Sequence, residues 1–87
     1  MSDVITPAVY QELERQGVIP GKDITVVSCN NEKPYLAPLH PQPAVIDIRA
    51  EAIGQQAVER LFWRIENPNA PKVTLIIEPS LVLPPVE

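Results

Sequence analysis

The sequence predicts an α/β fold, and three observations carry that prediction. Residues 5–16 have helical spacing and stop at Gly17; a short connector then leads into Ile24-Thr25-Val26-Val27-Ser28-Cys29, where five of six residues are β-branched or Cys. A longer helical pattern over about 48–66 is followed by a second apolar run, Val73-Thr74-Leu75-Ile76-Ile77. Helix, short turn and apolar strand make half of a βαβ unit, and such continuous apolar runs mark strands covered on both faces.

Taken in order, Ser2 or Asp3 is a candidate cap for the first helix, with Thr6-Pro7 as a second candidate start. Ile5, Val9 and Leu13 form its apolar stripe, and Glu12, Glu14, Arg15 and Gln16 its wet face, so these carboxylates read as solvation rather than an acid–base pair. Gly17 suits the left-handed position that closes a helix. Val18 to Asp23 is a connector with a Pro-Gly turn, feeding a strand over 24–29 that reads as buried on both faces. That strand stops at Asn30-Asn31, and polar groups at a buried strand end are where open α/β sheets place ligands. The strand expected ahead of the first helix is absent, which predicts further chain upstream.

Residues 30–43 form a long Pro-rich loop, the kind that is functional or builds an interface; Tyr35, Leu36 and Leu39 are apolar residues it has no means to bury alone. Ala44-Val45-Ile46 is a short extended run, Asp47 offers an N-cap, and a helix follows from about Ile48 to Glu66. Its stripe is Ala50, Ile53, Ala57, Leu61 and Ile65, widened by Val58 and Phe62, with Gly54 placed for a close backbone approach and Trp63 as a partly covered packing residue. After Asn67-Pro68 come the strand 73–77, a break at Glu78-Pro79, a third short strand at Ser80–Leu83, and Pro84-Pro85.

Totals narrow the function classes. The chain has 87 residues, one domain or part of one, with seven basic and eleven acidic residues for a net charge of −4. No basic patch is present to neutralise phosphates, which argues against a self-sufficient nucleic-acid binder. The single Cys29 lies in the apolar strand and reads as a small buried hydrophobe; the single His40 has no metal or triad partners near it in sequence. No metal or cofactor is expected. One cysteine, no signal peptide and no membrane-length apolar run fit a cytoplasmic protein.

The order of these segments resembles the C-terminal quarter of the lactose-repressor (LacI) family of transcription regulators. Ser2-Asp3 ahead of a helix closing on Glu14-Arg15-Gln16-Gly17 is similar to the family's Asn-Asp-opened helix, and Pro20 to Val27 to its Pro-x-Asp-Ile-Ser-Val-Val segment. Ser28-Cys29-Asn30-Asn31 stands where the family has Gly-Phe/Tyr-Asp-Asp/Asn, and Pro43–Ile46 where it has Pro-Leu-Thr-Thr-Val. Gly54-Gln55-Gln56-Ala57 matches Gly-x-x-Ala, and Pro79-Ser80-Leu81-Val82 matches the closing Pro-x-Leu-Val; the family's final Arg-x-Ser/Thr is replaced by Pro84-Pro85.

The resemblance implies a piece of a periplasmic-binding-protein-like core, two α/β lobes around a cleft, in the order helix-strand-loop-strand-helix-strand-strand. Residues 1–48 and 79–87 then belong to one lobe and 49–78 to the other, with crossings near Asp47–Arg49 and Glu78–Ser80. It also implies effector contacts at Asn30, Ser2 and Ala50. The resemblance implies a small-molecule effector of sugar or nucleobase-like chemistry; at Asn30 the family's Asp is replaced by an amide, which keeps a polar contact but loses the charge and bidentate acceptance and so weighs against a typical sugar. The plain alternative is that Asn30 and Asn31 only terminate the strand and turn the loop. The loop 32–42 falls at the family's subunit interface, implying a homodimer through Tyr35, Leu36 and Leu39 and no stable monomer.

The function so implied is the effector-sensing and dimerising part of a LacI-type regulator, not an enzyme, with no membrane partner and with DNA bound only through a helix-turn-helix absent from this chain. Two alternatives stay open: a piece of a small-molecule binding protein for transport, and a structural interaction domain. Against an enzyme stand the lone His40, the apolar setting of Cys29, and the lack of a Gly-rich phosphate loop or paired carboxylates.

Overall fold

The computed structural model describes residues 1–84. Helix α1 spans Thr6–Arg15, strand β1 Val27–Cys29, a short helix α2 Lys33–Leu36, strand β2 Ala44–Asp47, helix α3 Ala50–Glu66 and strand β3 Ser80–Val82. The strands form one sheet in the order β1-β2-β3. β1 and β2 run parallel, with Val27 opposite Ala44 and Cys29 opposite Ile46; β3 returns antiparallel, with Val45 opposite Val82 and Asp47 opposite Ser80. On the other flank of β1, Ser2 bridges Cys29 in parallel, so β1 lies between the first residues and β2. The Cys29 N–H donates to the Met1 carbonyl at 2.6 Å and the Asp3 N–H to the Cys29 carbonyl at 3.2 Å.

Helix α1 takes the later of its two candidate starts, with Pro7 in the first turn where its missing N–H costs nothing. Its end is a full Schellman motif. Gly17, at φ 72°, donates its N–H to the Glu14 carbonyl at 3.1 Å, and the Val18 N–H reaches the Leu13 carbonyl at 2.9 Å.

The core is small and sits beneath β2. Leu36, Leu39 and Val45 form its centre, Tyr10 of α1 packs against it, and Val26 and Ala44 are also buried. This corrects the placing of Leu36 and Leu39 at a subunit interface. Lys33-Pro34-Tyr35-Leu36 winds into α2, with Pro34 in the first turn, and that turn aims Leu36 inward to 2% exposure. The Gln42 side-chain amide secures the fold-back by donating to the Leu36 carbonyl at 2.8 Å and the Leu39 carbonyl at 2.6 Å. Tyr35 remains 43% exposed.

Three further expectations change. The strand expected over 24–29 narrows to Val27–Cys29 and is covered on one face: Val26 and Ser28 are buried, while Ile24 and Val27 are exposed. The buried residue at the centre of this face is a serine, so the alternation is hidden in an apolar-looking run. Residues 73–77 form no ladder, because no neighbouring strand among the described residues offers hydrogen bonds; Ile76 is 82% exposed. Helix α3 starts at Ala50 rather than near Ile48. None of its residues is buried: Ile53, Val58, Leu61, Phe62 and Ile65 lie open along it, and a side chain at Gly54 would meet nothing. Trp63 is covered on one side by the Arg60 guanidinium, 4.3 Å from the ring centroid. Of the closing Pro84-Pro85, Pro85 lies outside the described residues.

Candidate functional site

At the C-terminal ends of the parallel pair β1 and β2, the chain makes two corners that face each other. The first is Asn30-Asn31, at φ 109° and φ 68°; the second is Arg49, at φ 55°. Asparagine tolerates positive φ better than other residues with a side chain, because its short amide bonds locally. Arginine has no such excuse, and a clustering of unusual backbone is typical of functional corners. Asn30 is tied to the sheet by its N–H, which donates to the Ile46 carbonyl at 2.9 Å.

Asp47 joins the two corners. Its Oδ1 accepts the Arg49 backbone N–H at 2.7 Å, which stabilises the left-handed residue that precedes α3; its Oδ2 accepts the Asn31 side-chain amide at 3.1 Å. The Arg49 N–H first, then the Asn31 amide, hold the Asp47 carboxyl below the ordinary carboxylate range. From the sequence, Asp47 is the expected N-cap of the long helix. Its carboxylate does bond the first free N–H there, but Arg49 occupies the cap position itself.

Between the corners lies an open groove of about 450 Å³, lined by Asn30, Asn31, Asp47, Arg49, Ala50 and Gln55 among others. One lining residue carries an unusual group: Asn31 Oδ1 is buried and has no hydrogen-bond partner among the described residues. A buried acceptor left unbonded is costly enough to call for a partner. The groove offers carboxylate and amide acceptors, amide donors and one guanidinium, which suits a small ligand bearing several hydroxyl or amine groups.

The groove brings together two of the residues named from the sequence, Asn30 and Ala50. It does not include Ser2, whose carbonyl accepts from the Ile5 and Thr6 N–H groups and the Thr6 hydroxyl beside β1. Asn31 was marked with Asn30 at the strand end, but Asp47 and Arg49 were missed as lining residues. The Asn-Asn pair was a visible turn signal, whereas nothing in the sequence marks Arg49 as left-handed. Also missed was a polar cluster behind the site. Asp3, Thr6 and Ser28 are each 0% exposed; the Ser28 hydroxyl donates to Asp3 Oδ1, and Thr6 Oγ1 lies 2.7 Å from Ser28 Oγ.

Among the described residues, no group of three or more His, Cys, Asp or Glu side chains is placed to hold a metal ion, and no helix is long and apolar enough to cross a membrane.

Comparison with known proteins gives two matches. The family model described as a periplasmic binding protein-like domain matches residues 1–83. The ribose operon repressor of Haemophilus influenzae is 36% identical over 84 residues, which is 94% of this chain and 24% of that protein. The chain therefore spans about a quarter of the length of the curated relative it matches. No solved structure matches the chain.

Proposed function

Because this chain belongs to the periplasmic binding protein-like domain family, we propose that it is the effector-sensing and dimerising portion of a LacI-type transcriptional regulator. The single observation that carries the reading is the groove at the ends of β1 and β2, lined by Asn30, Asn31 and Ala50, with the buried, unsatisfied Asn31 Oδ1 beside it. The match to a ribose operon repressor supports a regulator over a transport protein. It also makes D-ribose the first effector to test.

The two-lobe division is part of the proposal. Asp47 pairs in register with Ser80, so the chain leaves and re-enters the sheet at one place. The intervening α3 and residues 73–77, the part given to the second lobe, expose apolar surface that the rest of that lobe would cover. An effector bridging the groove and that lobe binds the closed arrangement better than the open one and shifts the equilibrium between them. No bond is made or broken in this mechanism, so the protein is not an enzyme. Tyr35 is the residue of the 32–42 loop left to meet a second copy, DNA is contacted by a head domain outside this chain, and the compartment is the cytoplasm.

Calorimetric titration of the full-length gene product with D-ribose, other pentoses and nucleobases tests the reading. Binding by one of these classes, weakened about tenfold by Asn30→Ala, is the expected result. Binding that Asn30→Ala leaves unchanged, or no binding by any of them, refutes it.

A further inference from the structure

Resting on the effector-site reading above, we infer that Asp3 is a positioning residue: it holds the Asn30–Asn31 corner in the shape that presents these amides to the groove. Asn30 and Asn31 both have positive φ, which asparagine tolerates but which the bonds around the pair must still select over other conformations. That selection comes from residues on either side of the pair. Asp3, wholly buried, donates its backbone N–H to the Cys29 carbonyl at 3.2 Å, immediately before the corner. Its Oδ2 accepts the Glu32 N–H at 2.5 Å, immediately after the corner, and its Oδ1 accepts the Ser28 hydroxyl. One side chain therefore brackets the corner from residue 28 to residue 32, without touching the groove itself.

The supporting bonds are ordered. Ser28 gives its proton to Asp3, which leaves Thr6 to donate either to Ser28 Oγ at 2.7 Å or to the Ser2 carbonyl at 3.1 Å. The Asp3–Ser28 contact is thus shared with the start of α1, whereas the Asp3–Glu32 contact belongs to the corner alone. That difference separates positioning from general stability. Asp3→Ala removes both contacts. Asp3→Asn preserves the essential one: its carbonyl oxygen accepts the Glu32 N–H and its amide donates to Ser28 Oγ, whose hydroxyl rotates. Ser28→Ala removes a partner of Asp3 and leaves the Glu32 contact in place.

The test compares these variants in the full-length gene product by hydrogen exchange over residues 29–33 and by calorimetric titration with D-ribose. Asp3→Ala is expected to speed exchange at Glu32 and weaken D-ribose binding, each by about tenfold or more, as the loss of a buried carboxylate hydrogen bond implies. Asp3→Asn is expected to restore both to within about threefold of the parent. Ser28→Ala is expected to lower the melting temperature while leaving affinity within about twofold. Unchanged Glu32 exchange in Asp3→Ala, fast exchange with unchanged affinity, or failure of Asn to rescue overturns the inference. If the parent does not bind D-ribose, that result counts against ribose as the effector, and the exchange measurement still decides for or against Asp3. Should Asp3→Ala not fold, Asp3→Ser keeps a hydroxyl beside Ser28 but falls short of Glu32, and gives the same comparison.

Discussion

The sharpest division the fold makes is between two adjacent residues of one four-residue helix. Leu36 is 2% exposed and Tyr35 is 43% exposed, so replacing each by alanine should perturb different properties. For Leu36→Ala the transfer term follows from removing the equivalent of three methylene groups at about 0.8 kcal/mol each, or about 2.4 kcal/mol. A cavity term adds to this. Collapse of the site is limited, because Gln42 pins the Leu36 and Leu39 carbonyls and Val45 is fixed by its ladder to β3. The total is about 3 kcal/mol, inside the range for buried leucine truncations.

Urea denaturation followed by circular dichroism measures that loss, with hydrogen exchange at the Val45 amide as a local readout. Leu36→Met, which conserves volume, should cost less than about 1.5 kcal/mol. Tyr35→Ala should cost less than about 1 kcal/mol and instead weaken self-association, measured by sedimentation velocity. If Leu36→Ala costs no more than Tyr35→Ala, then α2 does not bury Leu36 and the description of the core is wrong.

Three further predictions test the corners and the helix ends. Asp47 has its folded-state pKa depressed by the Arg49 N–H and the Asn31 amide, so its contribution to stability is present above the unfolded value of about 4 and is lost as pH falls through the lower folded value. Asp47→Asn should therefore flatten the acid limb of a stability–pH curve, and an unaltered limb would sink the assignment. Burial raises the Tyr10 phenol above its ordinary value, and its hydroxyl donates to the Pro41 carbonyl at 2.6 Å. Stability from this group is thus complete below the unfolded value of about 10 and is lost as pH rises through the folded one; Tyr10→Phe should cost about 1 kcal/mol at neutral pH and remove that alkaline loss, seen by ultraviolet titration. Gly17→Ala meets no neighbour, so any cost is purely that of a side chain at φ 72°, about 1 kcal/mol in thermal melts.

Local chemistry explains which parts of this fold were legible in the sequence. Gly17 announces its Schellman turn because glycine adopts that φ with no side chain to strain it. Pro7 announces the first turn of α1, and Asn30-Asn31 announces a corner. Where the structure departs from expectation, the deciding information lies outside the local window. The run 24–29 looks apolar on both faces, yet only Val26 and Ser28 are covered, because burial depends on what packs against the strand. Residues 73–77 have the composition of a strand but no partner among the described residues, and a strand exists only as half of a ladder. The signal for α2 was present in Pro34 at a first turn with Leu36 and Leu39 three apart, but the density of prolines over 34–43 masked it.

The site shows the same limit from the other side. Asn30 was marked by its place where a strand gives way to a loop, whereas Ala50 was named only through the family resemblance. Asp3 was not marked, because a carboxyl group near the start of a helix reads first as a cap. Nothing local says that it reaches 29 residues along the chain to the Glu32 backbone. The same holds for Asp47, which spans 16 residues to Asn31. Each corner of the groove is therefore shaped by an aspartate: Asp3, 29 residues from Glu32, fixes the corner after β1, and Asp47, two residues before Arg49, fixes the one before α3. The two aspartates differ in setting, since Asp3 is wholly buried while Asp47 lines the groove. Acid should accordingly loosen the Arg49 corner while Asp47 protonates, and any change in effector affinity that tracks Asp47 should disappear in Asp47→Asn. The corner that Asp47 ionisation adjusts is the one joined to α3.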